Sequence, residues 1–276
     1  MVSEDTLKGP PVISLTTDFG LADGYVGVLK GVILSRAPTA RLVDLSHEVG
    51  PQDTLEAAFL LALAWRYFPA GSIHVLVVDP GVGTARRRLA IAAGGHFFIG
   101  PDNGSLSAAL PEAARGLRSA GEAYESRLVE LPNGVVAVAI TNGTLFHQPV
   151  SATFEGRDVF APAAAHLAAG GRFSDLGPAV QEVVCFPAFR APAGDGRVLH
   201  VDRFGNLITD IRPEDLPPRP RFTLAGRTVE GVSETYAWAR GLAAIVGSGG
   251  CVEFAVPNGH AASVLGLGPG DRVEVI

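Results

Sequence analysis

Little in this sequence offers the reactive or anchoring chemistry that makes a protein easy to classify. Of 276 residues only two are cysteine, Cys185 and Cys251. They lie far apart without a CxxC partner, so there is no zinc or redox motif and no disulfide framework. No apolar run reaches the ~20 residues that a membrane-spanning helix requires, and the best candidate, residues 57–65, falls far short. Basic runs are equally scarce. None exceeds Arg86, Arg87 and Arg88, and the net charge is −6, which argues against a nucleic-acid surface and suits a small cationic ligand. The seven histidines are dispersed singly, and no HExxH, P-loop or GxSxG occurs, which excludes a metalloprotease, an NTPase and an α/β-hydrolase triad. The first residues, MVSEDTLKGPP, include acids and lack an apolar core, so no signal peptide is expected and the location is expected to be cytoplasmic.

What is present is a globular composition. Hydrophobic residues make up 47% and charged residues 18%, enough for a sizeable core in one large domain or two moderate ones. The 34 glycines and 20 prolines are scattered between apolar segments and read as tight turns.

The most informative stretch is HVLVVDPGVGTARRR. Residues 75–78 are continuously apolar and mostly β-branched, the pattern of a strand buried on both faces of a mostly parallel sheet. Asp79 follows at its carboxyl end, where open α/β sheets place ligand-binding groups. Arg86 is close enough in sequence to fold back and pair with the turn. A dinucleotide fingerprint would need a third glycine where Arg86 stands and a helix afterwards, whereas residues 89–93 continue as strand. Taken alone, the stretch is equally well explained as an Asp-Pro-Gly turn with a surface ion pair, its arginines on a solvated edge.

Elsewhere the pattern predicts strands over residues 11–17 and 41–45. The first ends at Asp18. Helices are expected after N-caps at Asp23 and Asp53, the second running to about Phe68 before Pro69 and Gly71. A hairpin through Gly94 and Gly95 is expected, then Pro101-Asp102-Asn103-Gly104 and a short helix from Ser105. Pro132-Asn133-Gly134 predicts a second hairpin joining YESRLVEL to VVAVAIT, and FAPAAAHLAAG reads as an alanine-rich helix closed by Gly170. Residues 187–196 are turn-rich and mark a boundary, giving domains over 1–188 and 195–276. Beyond it, short strands between Gly, Pro and Asn turns show almost no helical spacing. The fold expected is an α/β N-terminal domain with a mostly parallel central sheet, followed by a small C-terminal β-barrel. Acids and amides at element ends, namely Asp18, Asp79, Asn103, Asp202, Asn206 and Ser248, are the candidate site residues.

In order along the chain, TTDFG, DLSHEV, VVDPGVGTxRR, GPDNGSL, TFxGRDVFAPAAAHLAAG, VDRFGNLITDI and Ser248-Gly-Gly resemble the S-adenosyl-L-methionine hydroxide adenosyltransferase family, relatives of the fluorinating and chlorinating enzymes. The resemblance implies that water or hydroxide displaces methionine from C5′ of S-adenosyl-L-methionine, yielding adenosine and L-methionine, with neither metal nor cofactor. It implies homotrimers whose substrate lies between one subunit's N-terminal domain and its neighbour's C-terminal domain. By motif position, Asp18 would hold the ribose hydroxyls, Tyr236 would stack on adenine and Asn206 would hydrogen-bond it. Asp202 and Ser248 would take the amino-acid end, and Phe154 and Gly156 would line the pocket near the reacting carbon. The halide enzymes lack a carboxylate at the position of Asp79, where its charge would repel a halide, so the hydrolytic branch is favoured. The alternatives are a non-catalytic S-adenosyl-L-methionine or adenosine-binding protein and a halide adenosyltransferase.

One position departs from the family pattern. The implied triad is Asp, Arg and His, the histidine lying in TFHGRD, but this chain reads TFEGRD and has Glu155 there. The catalytic set expected is therefore Asp79, Arg86 and Glu155. Two carboxylates sharing Arg86 should have one pKa raised and the other lowered, and Glu155 could act as general base for water.

Overall fold

The computed structural model describes residues 9–276; the segment 1–8, which carries most of the stretch read for a signal peptide, lies outside the described residues. The chain divides into two compact units. One holds the residues up to Arg115 together with Ser126–Phe186, and the other holds Gly116–Glu125 together with Pro187–Ile276.

The first unit contains β1 (Val12–Thr17), α1 (Tyr25–Arg36), β2 (Arg41–Ser46), α2 (Thr54–Ala64), β3 (Ile73–Val77), β4 (Arg88–Ala93), β5 (His96–Pro101), α3 (Glu112–Arg115), β6 (Arg127–Glu130), β7 (Val136–Ala139), α4 (Ala161–Ala168), β8 (Ala179–Val180) and β9 (Glu182–Cys185). Its main sheet runs β2-β1-β3-β5-β4-β7-β8. The first four strands are parallel, and β4, β7 and β8 extend them antiparallel. Every residue of β3 is buried, because helices cover both sheet faces. Leu29 and Ile33 of α1 pack with Ala161–Leu167 residues of α4 on one side, and Ala57 and Leu61 of α2 pack on the other. Truncating such a fully buried leucine costs about 2–5 kcal/mol.

Local capping explains one helix start and not the other. Asp53 accepts from the Glu56 amide at 2.9 Å, and the Glu56 carboxylate returns to the Gly50 amide at 2.7 Å, together tying down the first turn of α2. Asp23 does not cap α1: Gly24 occupies the N-cap with no side-chain bond, one residue too late for the Asp23 carboxylate to reach the first free amides. The second predicted hairpin does not form either. β7 joins β4 in the main sheet, burying Ala137 and Val138, while β6 pairs with β9 in a separate ribbon. Burial of β7 outweighs the local turn preference of Asn133-Gly134.

The second unit is one antiparallel sheet in the order β13-β12-β16-β10-β11-β15-β14, comprising β10 (Asp195–Val201), β11 (Leu207–Thr209), β12 (Arg221–Leu224), β13 (Arg227–Glu230), β14 (Ala243–Val246), β15 (Val252–Ala255) and β16 (Arg272–Val275). Its two ends, β13 and β14, approach each other, so the sheet is a nearly closed barrel around Val198, Leu207, Phe222, Phe254 and Val273. A short helix absent from the sequence expectation, α5 (Ala261–Leu265), starts where His260 accepts from the Ser263 amide at 3.1 Å and ends at Gly266 in the left-handed conformation. The inserted Gly116–Glu125 segment is held within this unit by charge: Arg118 donates to Asp195 at 2.6 Å and to Asp210 at 3.3 Å.

Candidate functional site

The adjacent parallel strands β1 and β3 end level with each other, Thr17 beside Val77, so Asp18 and Asp79 emerge from the same edge of the sheet. Both line a cavity of about 450 Å³ together with Phe154, Glu155, Gly156 and Tyr25, all within the first unit. Asp18 is anchored by the Gln52 amide at 2.9 Å. Phe19, Tyr25 and Phe154 meet edge to face, with centroid separations of 5.9, 5.8 and 5.3 Å, giving the cavity an aromatic side opposite in character to its acidic one.

The loop after β3 is shaped by Gly83, which has φ +78 and lies so close to the 150s segment that a Cβ would stand 2.5 Å from the Ala152 carbonyl oxygen. Only glycine combines that backbone with that approach. The loop returns Arg86 onto Asp79. Its Nε donates to Asp79 Oδ1 at 2.7 Å, and its Nη2 is shared between Asp79 Oδ2 and Glu155 Oε2. Arg88 donates from Nε to Glu155 Oε1 at 2.9 Å and again from Nη2. Glu155 begins a π-type turn, Gly156–Phe160, that runs into α4, a local distortion of the kind that functional sites often carry. The turn is braced by Asp158, which accepts from the Ser151 amide at 2.7 Å and from Arg157 Nε at 2.6 Å.

The side chains of Asp79 and Glu155 are 5% and 2% exposed, yet they titrate in opposite directions. Burial pushes the Asp79 carboxyl above the usual range, the Arg86 bonds offset this only in part, and the charge of Glu155 adds to the rise. Burial acts on Glu155 in the same sense, but hydrogen bonds from Arg88 and Arg86 outweigh it and hold the group below the usual range. Arg86 itself stays charged, its pKa raised because both carboxylates outweigh the cost of burial. Its Nη1 is buried and has no hydrogen-bond partner among the described residues.

Asn103 is not brought to the cavity. Its Nδ2 donates to the Val78 carbonyl at 2.9 Å and its Oδ1 accepts from the Ser105 amide at 3.1 Å, so the side chain is occupied in shaping the turn after β5. In the second unit, Asp202 accepts from the Phe204 amide at 2.9 Å and from the Asn206 amide and Nδ2 at 2.8 and 2.9 Å. Tyr236 donates its hydroxyl to Glu253. Burial, with the charge of Asp202, raises the Glu253 pKa. Gly247 makes room for this carboxylate, since a Cβ there would lie 2.1 Å from Glu253 Oε2, and Ser248 follows, exposed, in the turn between β14 and β15. Sequence reasoning missed Arg88, Tyr25 and Glu253. For Arg88 a signal existed: strand alternation puts residues 86 and 88 on one side and 87 on the other, and Arg87 indeed pairs with Asp102 instead, at 2.7 Å. Glu253 offered no signal beyond being an acid within an apolar strand.

Residues 13–177 match the SAM hydroxide adenosyltransferase N-terminal domain and residues 196–274 its C-terminal domain. The chain belongs to the SAM hydroxide adenosyltransferase family. It is 43% identical over 273 residues to a protein of Salinispora tropica named (R)-S-adenosyl-L-methionine hydrolase, covering 96% of this chain and 97% of that one. A fluorinase of an Actinoplanes species is more distant, at 29% identity over 75% of this chain and 73% of its own. The fold resembles the crystal structure of an uncharacterized conserved protein from Thermotoga maritima, with a TM-score of 0.81 and 31% identity over 96% of this chain and 100% of that one. Within this SAM hydroxide adenosyltransferase family member both cysteines are buried. Among the described residues no helix is long and apolar enough to cross a membrane, and no group of three or more His, Cys, Asp or Glu side chains is placed to hold a metal ion.

Proposed function

We propose that the protein hydrolyses S-adenosyl-L-methionine to adenosine and L-methionine, by a single in-line attack of water at C5′. Relatives at 39–43% identity over nearly the whole chain are named (R)-S-adenosyl-L-methionine hydrolase. The structural observation that carries the reading is the pair of carboxylates, Asp79 and Glu155, in the wall of one cavity and joined by Arg86.

The substrate's sulfonium is already a good leaving group, so the protein need only hold the water in line, accept its proton and place the carbon. Asp79, whose pKa burial raises, accepts the proton. Arg86 orients Asp79 through its bonds to both carboxylate oxygens. Oxygen bonds to C5′ as the C5′–S bond breaks, and the bonding pair returns to sulfur as a neutral thioether. Asp18 holds the ribose hydroxyls, since a carboxylate can accept two hydrogen bonds, and Phe154 and Gly156 border the reacting carbon. Asp202 and Ser248 take the amino-acid end, with Asn206 and Tyr236 at the adenine. The reading uses no cofactor, assigns the enzyme to the cytoplasm, and includes a homotrimer with its sites at subunit interfaces.

The test is to incubate purified protein with S-adenosyl-L-methionine, with and without chloride, and to chromatograph the products. Adenosine and methionine in equal amounts are expected. Tight binding without product would replace the hydrolase with a binding protein, and a 5′-chloro nucleoside would replace it with a halide transferase. Sedimentation of the same sample checks the trimer.

A further inference from the structure

Three arginines follow one another at the entry to β4, and each has a different task. Arg86 bridges Asp79 and Glu155, Arg87 holds Asp102, and Arg88 closes on Glu155 alone. Two buried carboxylates sharing one guanidinium would leave an excess negative charge beside the reacting water. Arg88 removes that excess, making the four-group set Asp79, Arg86, Glu155 and Arg88 formally neutral. It is placed to do so by the fold. Its backbone is the first rung of the β4–β5 ladder, opposite Pro101, its carbonyl accepts from the Ile140 amide at 2.7 Å, and its guanidinium lies 5.9 Å from the Phe146 ring.

We propose that Arg88 is a positioning residue for water activation: it neutralises Glu155 and pins one of its oxygens, leaving Arg86 to orient Asp79 as the proton acceptor. This rests on the hydrolase reading. Glu155 then serves as the second anchor of Arg86 and not as the base. The proton passes from water to the Asp79 carboxylate and later to solvent, while the water oxygen bonds to C5′. The opposite titration of Asp79 and Glu155 agrees with this division. The remaining charged groups lining the cavity do not substitute for Arg88: Asp18 is an anion, and Arg157 is paired with Asp158.

The experiment compares wild type, Arg88→Ala, Arg88→Lys and the double variant Arg88→Ala/Glu155→Gln, with kcat, KM and the pH profile of adenosine formation measured for each and folding checked by thermal melting. Arg88→Ala is expected to lower kcat about 10- to 100-fold with little change in KM, and to move the acid limb of the profile up by about one pH unit, because removing a cation raises the pKa of nearby carboxylates. Arg88→Lys should restore much of the rate. The double variant is again neutral, so it should return the acid limb toward wild type and turn over faster than Arg88→Ala. Unchanged kcat and profile in Arg88→Ala, or a double variant slower than the single one, would overturn the inference and leave the hydrolase reading standing. Absence of adenosine from wild type would overturn the hydrolase reading, and this inference with it.

Discussion

Each unit buries a cluster of arginines and acids, and the two clusters behave differently. In the second unit Arg118 holds Asp195 and Asp210, Arg272 adds a bond to Asp195 at 2.7 Å, and the Gly121 and Arg197 amides complete the two carboxylates at 2.7 Å each. Asp195 is driven down to about 2, burial being outweighed by Arg118, the Gly121 amide and Arg272. Asp210 is raised by burial, but it is fully enclosed and takes the Tyr124 hydroxyl at 2.9 Å, so no ligand can reach it. In the first unit both acids, Asp79 and Glu155, form part of a cavity wall, so the raised carboxyl, Asp79, is open to a ligand. A raised acid therefore points to chemistry only where something can approach it.

The contrast can be broken most sharply at Asp79. Asp79→Asn should cut adenosine formation by about 10²- to 10⁴-fold, the usual worth of a general base, while the melting transition survives; equal losses of rate and fold would erase the distinction between the clusters. Arg118→Ala should do the reverse, costing about 3–5 kcal/mol of stability by stranding buried carboxylates, read from denaturant melts of the full chain. pH then separates them without mutation. Asp195, depressed by folding, contributes stability that is full above its unfolded pKa near 3.8 and is lost as pH falls toward about 2. Asp195→Asn should flatten that part of the acid-unfolding curve. Asp79, raised by folding, makes turnover fall at a pH above the usual carboxylate range as it becomes protonated. Tyr236→Phe removes one hydrogen bond to Glu253 and should cost about 1 kcal/mol. Least of all, Lys30→Ala breaks the exposed Lys30–Asp44 pair, 2.6 Å apart, at a cost of about 0.2–1 kcal/mol.

Much of the first unit was legible from local pattern. The apolar run before Asp79, the cap at Asp53, the hairpin at Gly94-Gly95 and the helix closed by Gly170 all follow from residues a few positions apart, and each forms as read. The hairpin at Asn133-Gly134 failed because its turn signal competed with burial in the main sheet, a term that no short window contains. An amide after a strand suits a ligand and a turn equally, and the Asn103 side chain bonds Val78 and Ser105 within the turn.

The sequence by itself determined the family, the two kinds of unit and the placing of Asp18 and Asp79 at strand ends, because hydrophobic period and motif order are carried by neighbours in the chain. Only the tertiary structure decided that Gly116–Glu125 belongs with the barrel, that Arg88 closes on Glu155, and that burial raises the Asp79 pKa while two arginines lower that of Glu155. Those outcomes depend on burial and on distances of a few ångströms between residues far apart in the chain, such as Arg88 and Glu155, separated by 67 positions.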